Sequence, residues 1–253
     1  MMLEICFQDE HLVVIDKPAG LLVHRSKIAA GERVFAMQLL RDQLGQHVYP
    51  VHRLDRPTSG LLLFALSPEV ARQLAEQFSA RQVKKSYLSL VRGWVKEGAV
   101  LDYPLVEEYD AVMGQPRKEK EAQDAVTAYA PLAHCELPHA VGRYQTARYS
   151  LVTCSPLTGR RHQLRRHFDH LRHPIVNDTT HGDGKHNLLF REVLGFRELA
   201  LRAWRLAFTH PVTGEALDIR APLPASWENL FTDFGWDCQG LMAKAGAWHD
   251  EDL

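Results

Sequence analysis

The chain has 253 residues, 45% apolar and 24% charged, which suits one large soluble globular domain or two small ones. No apolar run approaches the roughly 20 residues of a membrane-spanning helix. The start, MMLEICFQDE, has neither the basic residues nor the apolar stretch of a signal peptide, so no membrane and a cytoplasmic location are expected. Cys6, Cys135, Cys154 and Cys238 form no CxxC, which fits reduced thiols and offers no zinc framework.

A net charge of −1 argues weakly against a nucleic-acid binder, but the charge is segregated. Residues 53–96 carry eight Lys/Arg against three acids, and residues 143–173 seven against one. Residues 97–124 carry eight acids against three bases, and residues 226–253 six against one. If the two basic segments meet in space they form a positive cleft in a nearly neutral protein. If they lie on opposite faces they do not.

In chain order, residues 3–7 and 12–15 read as a hairpin, followed by a Pro/Gly turn at Asp16–Gly20 and a short strand at Leu21–Val23. Val34, Met37, Leu40 and Leu44 fall at helical spacing within 33–44. Within the apolar run Leu61–Leu66, Leu61–Phe64 reads as a buried strand. Ser67-Pro68-Glu69 then caps a helix whose buried stripe is Val70, Leu74 and Phe78, with Arg72, Arg81, Lys84 and Lys85 solvated. Residues 86–91 are a strand, and 93–100 a turn leading into another. Residues 107–125 read as a long surface loop and 144–153 as a strand broken by Ser155-Pro156. A helix carries Leu164, Phe168 and Leu171; loop and short helix fill 175–198. Residues 203–208 and 216–219 form a hairpin, 225–234 a last helix, and the tail from 236 frays. Neighbouring hairpins outnumber strand–helix alternation, so the fold class is α+β: a mixed, mostly antiparallel sheet with flanking helices. A single domain over 1–253 with a core at about 3–235 is expected, since no domain boundary is visible.

The candidate chemistry begins at His52-Arg53-Leu54-Asp55-Arg56-Pro57-Thr58-Ser59-Gly60. Asp55 lies between Arg53 and Arg56 at the lip of a strand, and neighbouring cations favour an ionised carboxylate, able to act as nucleophile or base. A salt-bridged surface turn would use the same residues. The segment TGRRHQLRRHFDHLRH (158–173) holds five Arg and four His around its apolar stripe, with Arg161 and Arg165 one turn apart on one face. An Arg there could pair with Asp55 while others bind phosphates, because the guanidinium fork suits both; a solvated basic face is the plainer alternative. A metal site is disfavoured, because His162 and His167 are five apart and no HExxH occurs. Tyr87, after Lys84-Lys85, could stack on a base or move a proton, or serve as half-buried core.

HRLDRPTSGLLLF resembles the signature of the RluA family of pseudouridine synthases. So do DEHLVVIDKPAGLLVH (9–24), KKSYLSLVRG (84–93), TGRRHQLRRHFDHLRHPIVND (158–178) and LAFTHPVTGEALDIRAPLP (206–224), in order along the chain. The resemblance implies the pseudouridine synthase fold with a central active-site cleft, no accessory RNA-binding domain ahead of it, and no metal or other cofactor. It implies Asp55 as the catalytic aspartate, Tyr87 as the ring beside the target base and Arg165 as the aspartate's partner. His52, Arg53, Arg56, Arg160, Arg161 and Arg166 would then contact RNA. Where the family often has Gly, this chain has Asn177.

Within the family, VHRS at 23–26, RGW at 92–94, LDYPLVEE at 101–108 and FGW at 234–236 are most similar to members acting on tRNA. They imply uridine 65 of the T stem as the target and a monomeric enzyme. An rRNA target, or a non-catalytic RNA-binding protein using the same cleft, are the alternatives. The resemblance leaves open whether Asp55 attacks the anomeric carbon, attacks carbon 6 or removes a sugar proton.

Overall fold

The apolar run after the HRLD motif organises the first half of the fold. In the computed structural model, which describes residues 1–24, 34–107 and 121–248, this run is strand β4 (Ser59–Ala65) and every one of its residues is buried. Leu61 and Leu63 face a core with Leu12, Val14, Val70, Leu74, Leu206, Phe208 and Ile219. A strand buried on both faces needs an unbroken apolar run, which is what the sequence supplies.

The chain divides into two compact units, each assembled from three separate stretches: Met1–Lys85, Leu105–Gln123 and Ala203–Ala221 in the first, the rest in the second. A boundary that crosses the sequence repeatedly leaves no linker to see.

The first unit contains β1 (Glu4–Gln8), β2 (Leu12–Lys17), β3 (Tyr49–Pro50), β4, β11 (Leu201–Thr209, from Ala203) and β12 (Ala216–Arg220). Their order is β1-β2-β4-β11, with β3 paired to β4 and β12 to β11. The β2–β4 ladder runs from Leu12 opposite Ala65 to Lys17 opposite Gly60. Gly60 has φ +107°, and a Cβ there would run into the backbone of Ala203, so only glycine lets β4 lie this close to β11. Helix α1 (Ala36–Leu44) ends at Gly45 in the left-handed region. In α2 (Pro68–Ser79) Ser67 Oγ accepts from Val70 N as an N-cap, and Val70 and Leu74 are buried. Lys85 differs from expectation: it is half-buried, and burial pushes its ammonium down. Leu105–Val106 and Ala122–Gln123 (β7 and β8) make a small separate ladder; most of the loop expected over 107–125 lies outside the described residues.

The second unit has the strand order β5-β10-β9-β6: β5 (Lys84–Arg92, from Ser86), β6 (Ala99–Asp102), β9 (Val126–Leu137) and β10 (Ala147–Pro156). Every pairing among these four is antiparallel. The helices are α3 (Gln163–His170), α4 (Gly184–Glu192), α5 (Ala225–Asp233) and α6 (Cys238–Ala247). Around α4 and α5, Phe190, Phe196, Trp227, Phe231, Phe234 and Trp236 meet edge to face, the geometry that ring quadrupoles favour. Residues 238–247 are helical rather than frayed. Ala245 is buried and Lys244 Nζ donates to Leu132 O, which fixes α6 on β9. Among the described residues no helix is long and apolar enough to cross a membrane.

Candidate active site

Asp55 sits in the loop leading into β4, half-buried, with its carbonyl accepting from Thr58 N at 3.1 Å across the turn. Leu54, Thr58 and Ser59 are buried and anchor the loop on both sides. Lys17 holds it from beneath. That side chain is fully buried, and its Nζ donates to Pro18 O (2.9 Å), Leu21 O (2.9 Å) and Arg56 O (3.2 Å). Burial pushes the Lys17 ammonium down to about 7, against the opposing pull of the Asp55 and Asp16 charges. A buried amine losing its charge near neutrality is the expected result of desolvation.

Arg56 ties the same turn from outside. Its Nε donates to Gly20 O at 3.1 Å and its carbonyl accepts from Gly20 N at 2.8 Å. The turn at 16–20 and the Asp55 loop are thus laced together by side chain and backbone. Arg53 is exposed. His52, expected among the RNA contacts, is half-buried. Its Nε2 accepts from Leu63 N at 3.0 Å and its ring stacks on Phe78 with centroids 4.8 Å apart. Burial, with a smaller push from Lys85, takes its pKa down to about 3, so the ring is neutral at physiological pH. This geometry makes His52 a brace for the loop.

In the second unit Tyr87 lies half-buried on β5, opposite Cys154 of β10, whose Sγ is 3.8 Å from the Tyr87 carbonyl. Arg165 is on α3 and buried, with Nε 2.7 Å from Asp178 Oδ2 and Nη2 2.8 Å from Asp178 Oδ1. Arg160 Nε donates to Asp124 O at 2.9 Å; Arg161 and Arg166 are half-buried. Arg161 does not share a helix face with Arg165, because α3 starts only at Gln163. His162 ahead of it is in the left-handed region, with φ +52°. The break follows from Gln163. Its Oε1 accepts from Thr158 Oγ1 (2.7 Å) and Arg160 N (3.0 Å), and its Nε2 donates to Val126 O (2.9 Å) and Thr127 Oγ1 (3.1 Å). A buried amide with every position satisfied fixes the loop around it.

The histidines of this segment disperse. His162 pairs with His181 at 3.0 Å, and His170 stacks on Tyr103. His173 Nδ1 lies 2.8 Å from Arg92 O. His167, expected on an open basic face, is buried between Thr127 Oγ1 and Tyr103 O, and burial pushes its pKa down. Among the described residues no group of three or more His, Cys, Asp or Glu could hold a metal ion.

Chemically, the first unit holds a carboxylate on a loop tied to a buried amine. The second, taken by itself, holds a buried guanidinium and a half-buried aromatic ring. Lys17, Gln163 and Asp178 were not among the residues singled out from sequence. The available signals were a lysine closing the apolar strand LVVID and an acid two positions after the apolar run Pro174-Ile175-Val176.

The family model described as RNA pseudouridylate synthase matches residues 11–170. The chain is 56% identical over 245 residues to tRNA pseudouridine synthase C of Vibrio cholerae serotype O1, covering 96% of this chain and 100% of that one. It is 53% identical over 236 residues to the protein of the same name from Yersinia pestis, covering 93% and 92%. Among solved structures, human RNA pseudouridylate synthase domain containing 4 aligns with TM-score 0.67 and 27% identity over 92% of this chain and 93% of that one. Human RNA pseudouridylate synthase domain containing 1 aligns with TM-score 0.70 at 24% identity over 97% and 95%, which bears on fold alone.

Proposed function

The chain belongs to the RNA pseudouridylate synthase family, and we propose that it converts a uridine of tRNA to pseudouridine, uridine 65 of the T stem, with Asp55 as nucleophile. What carries the tRNA assignment is identity above one half, over nearly the full length, to proteins named for that substrate. What carries the role of Asp55 is its placement: a carboxylate on a loop whose backbone is clipped to a buried amine and to the 16–20 turn.

The reaction breaks the bond between ribose and uracil N1 and forms one between ribose and C5. The C5 proton leaves and N1 gains a proton, so no co-reactant is consumed. Tyr87 lies against the target uracil, and Arg165 is the cation that serves the aspartate. Arg53, Arg56, Arg160, Arg161 and Arg166 bind the RNA backbone, and the protein acts as a monomer. A base inside a helical stem must first be flipped out, at a few kcal/mol. Phosphate contacts from the arginines offset that cost and make binding strongly salt-dependent.

The test is Asp55→Asn, with pseudouridine mapped in cellular tRNA and rRNA from cells with and without the protein. The expected result is unchanged tRNA affinity with no turnover, and loss of the modification confined to the T stem. Turnover by the variant refutes the role of Asp55. Loss confined to rRNA refutes the substrate while leaving the chemistry standing.

A further inference from the structure

A guanidinium carries five N–H donors on a rigid plane. In Arg165 the Nε–H and one Nη2–H meet the two oxygens of Asp178 at 2.7 and 2.8 Å, a side-on fork with both side chains buried, 4% and 0% exposed. Two parallel charge-assisted hydrogen bonds fix the plane of the guanidinium as well as its position. The end-on edge, formed by Nη1 and the outer N–H of Nη2, lies in that same plane. Whatever this edge meets is therefore met in a direction set by Asp178.

The loop after α3 is built around this acid. Asp178 Oδ1 also accepts from Thr180 N (2.9 Å) and His181 N (3.0 Å). Its carbonyl accepts from Asn187 Nδ2 at 2.8 Å, while Asn187 Oδ1 accepts from Asn177 N at 2.7 Å. Asn177, at φ +60°, ties itself to Phe196 O and Glu198 O. A side chain at position 182 would strike the Asp178 carbonyl, so Gly182 is the residue that fits. Burial pushes the Asp178 carboxyl up, but Arg165 and the two backbone N–H groups outweigh it and hold it below the usual carboxylate range. Asp178 is thus an anion throughout the neutral range.

Stability alone does not call for such a construction, since a buried ion pair contributes little over an apolar pair of the same volume. What it does supply is a cation with one orientation. We propose that Asp178 is the positioning residue of Arg165, fixing the angle at which the guanidinium is offered to the reacting groups. This rests on the role given to Arg165 above.

The experiment compares wild type, Asp178→Asn, Asp178→Glu, Arg165→Ala and the Asp178→Asn/Arg165→Ala double variant. Single-turnover rates and dissociation constants are measured on unmodified tRNA transcript, with a thermal melt of each protein. Asp178→Asn is expected to lower the single-turnover rate by about 10²-fold, the size of effect that small misplacement of a reacting group produces. Its tRNA dissociation constant should stay within about twofold, a split between rate and affinity that loss of local structure alone would not give. The double variant should be no slower than Arg165→Ala, because the acid acts only through the arginine. Asp178→Glu, which keeps the charge but displaces it, should be slow as well.

A wild-type rate in Asp178→Asn, or losses that multiply in the double variant, overturn the proposal. If Asp178→Asn does not fold, Asp178→Glu decides: slow turnover with intact binding supports positioning, and a wild-type rate refutes it. A wild-type rate in Arg165→Ala instead brings down the role of Arg165 itself. A slow Arg165→Ala beside a fast Asp178→Asn brings down only the part given to Asp178.

Discussion

Replacing Lys17 by Met keeps the length of the stem and removes the amine. The consequence is sharpest in the pH dependence of stability. In the folded protein burial pushes the Lys17 ammonium down to about 7; in the unfolded chain it keeps its ordinary value near 10.5. Between those values the unfolded state binds one more proton at this site, so stability rises with pH across the window, at a limiting slope of about 1.4 kcal/mol per pH unit. From pH 7.5 to 9.5 this one group adds about 2.5 kcal/mol. Wild type alone does not isolate the effect. Burial raises the Cys135 thiol to about 12, and an unfolded thiol gives up its proton near 9.0, so that group lowers stability with rising pH over the same range. The difference between wild type and Lys17→Met cancels all such shared groups. Urea denaturation at pH 7.5, 8.5 and 9.5 should therefore show the stability of wild type relative to the variant climbing by about 2.5 kcal/mol. Parallel pH profiles would show that Lys17 carries no perturbed amine. Because the Asp55 charge opposes the depression of Lys17, adding Asp55→Asn should move the lower edge of the window to lower pH.

Two further outcomes follow from packing. Gly60→Ala puts a Cβ against the Ala203 backbone at φ +107°, so it should cost about 3 kcal/mol or more and show as insoluble protein or a strongly lowered melting temperature; a wild-type melt would refute the close approach of β4 and β11. Ending the chain before Cys238 removes α6, with its buried Ala245 and the Lys244 bond to Leu132 O. A loss of about 2 kcal/mol, seen as a melting temperature lower by roughly 4–8 °C, is expected, and an unchanged melt would mean that the helix adds nothing.

Local pattern carried much of the fold. The apolar run of β4, the Ser67-Pro68 cap of α2 and the hairpin of β11 and β12 are each written in a few adjacent residues. The strand β9 was not, and the reason is physical. VTAYAPLAHCEL has a proline in its middle, a residue that argues against strand, and its alternation of apolar and polar residues is broken. The sheet accommodates Pro131 by a shift in register beside it: Leu151 pairs with Ala133 and Val152 with Pro131, leaving Leu132 bulged. Helix α6 has two glycines and little amphipathic pattern, so its stability comes from contacts with residues such as Leu132, more than 100 positions away.

The site divides along the same line. Asp55 was legible because its motif is contiguous, but the two arginines beside it in sequence are not the whole of its electrostatic setting. Arg53 is exposed, and Arg56 also spends its guanidinium on the Gly20 carbonyl. The amine of Lys17, 38 positions away in sequence, is fully buried and senses the Asp55 charge. Arg165 repeats the relation with Asp178. Charges near in sequence tend to sit on the surface, where water screens them to a small fraction of their strength. Charges that the fold carries into low dielectric act several times more strongly at the same distance. Counting charged neighbours along a motif thus samples the weak interactions and misses the strong ones. Those strong interactions are held in place by backbone carbonyls and amides, at Pro18, Leu21 and Arg56 on one side and Thr180 and His181 on the other, which no residue pattern records.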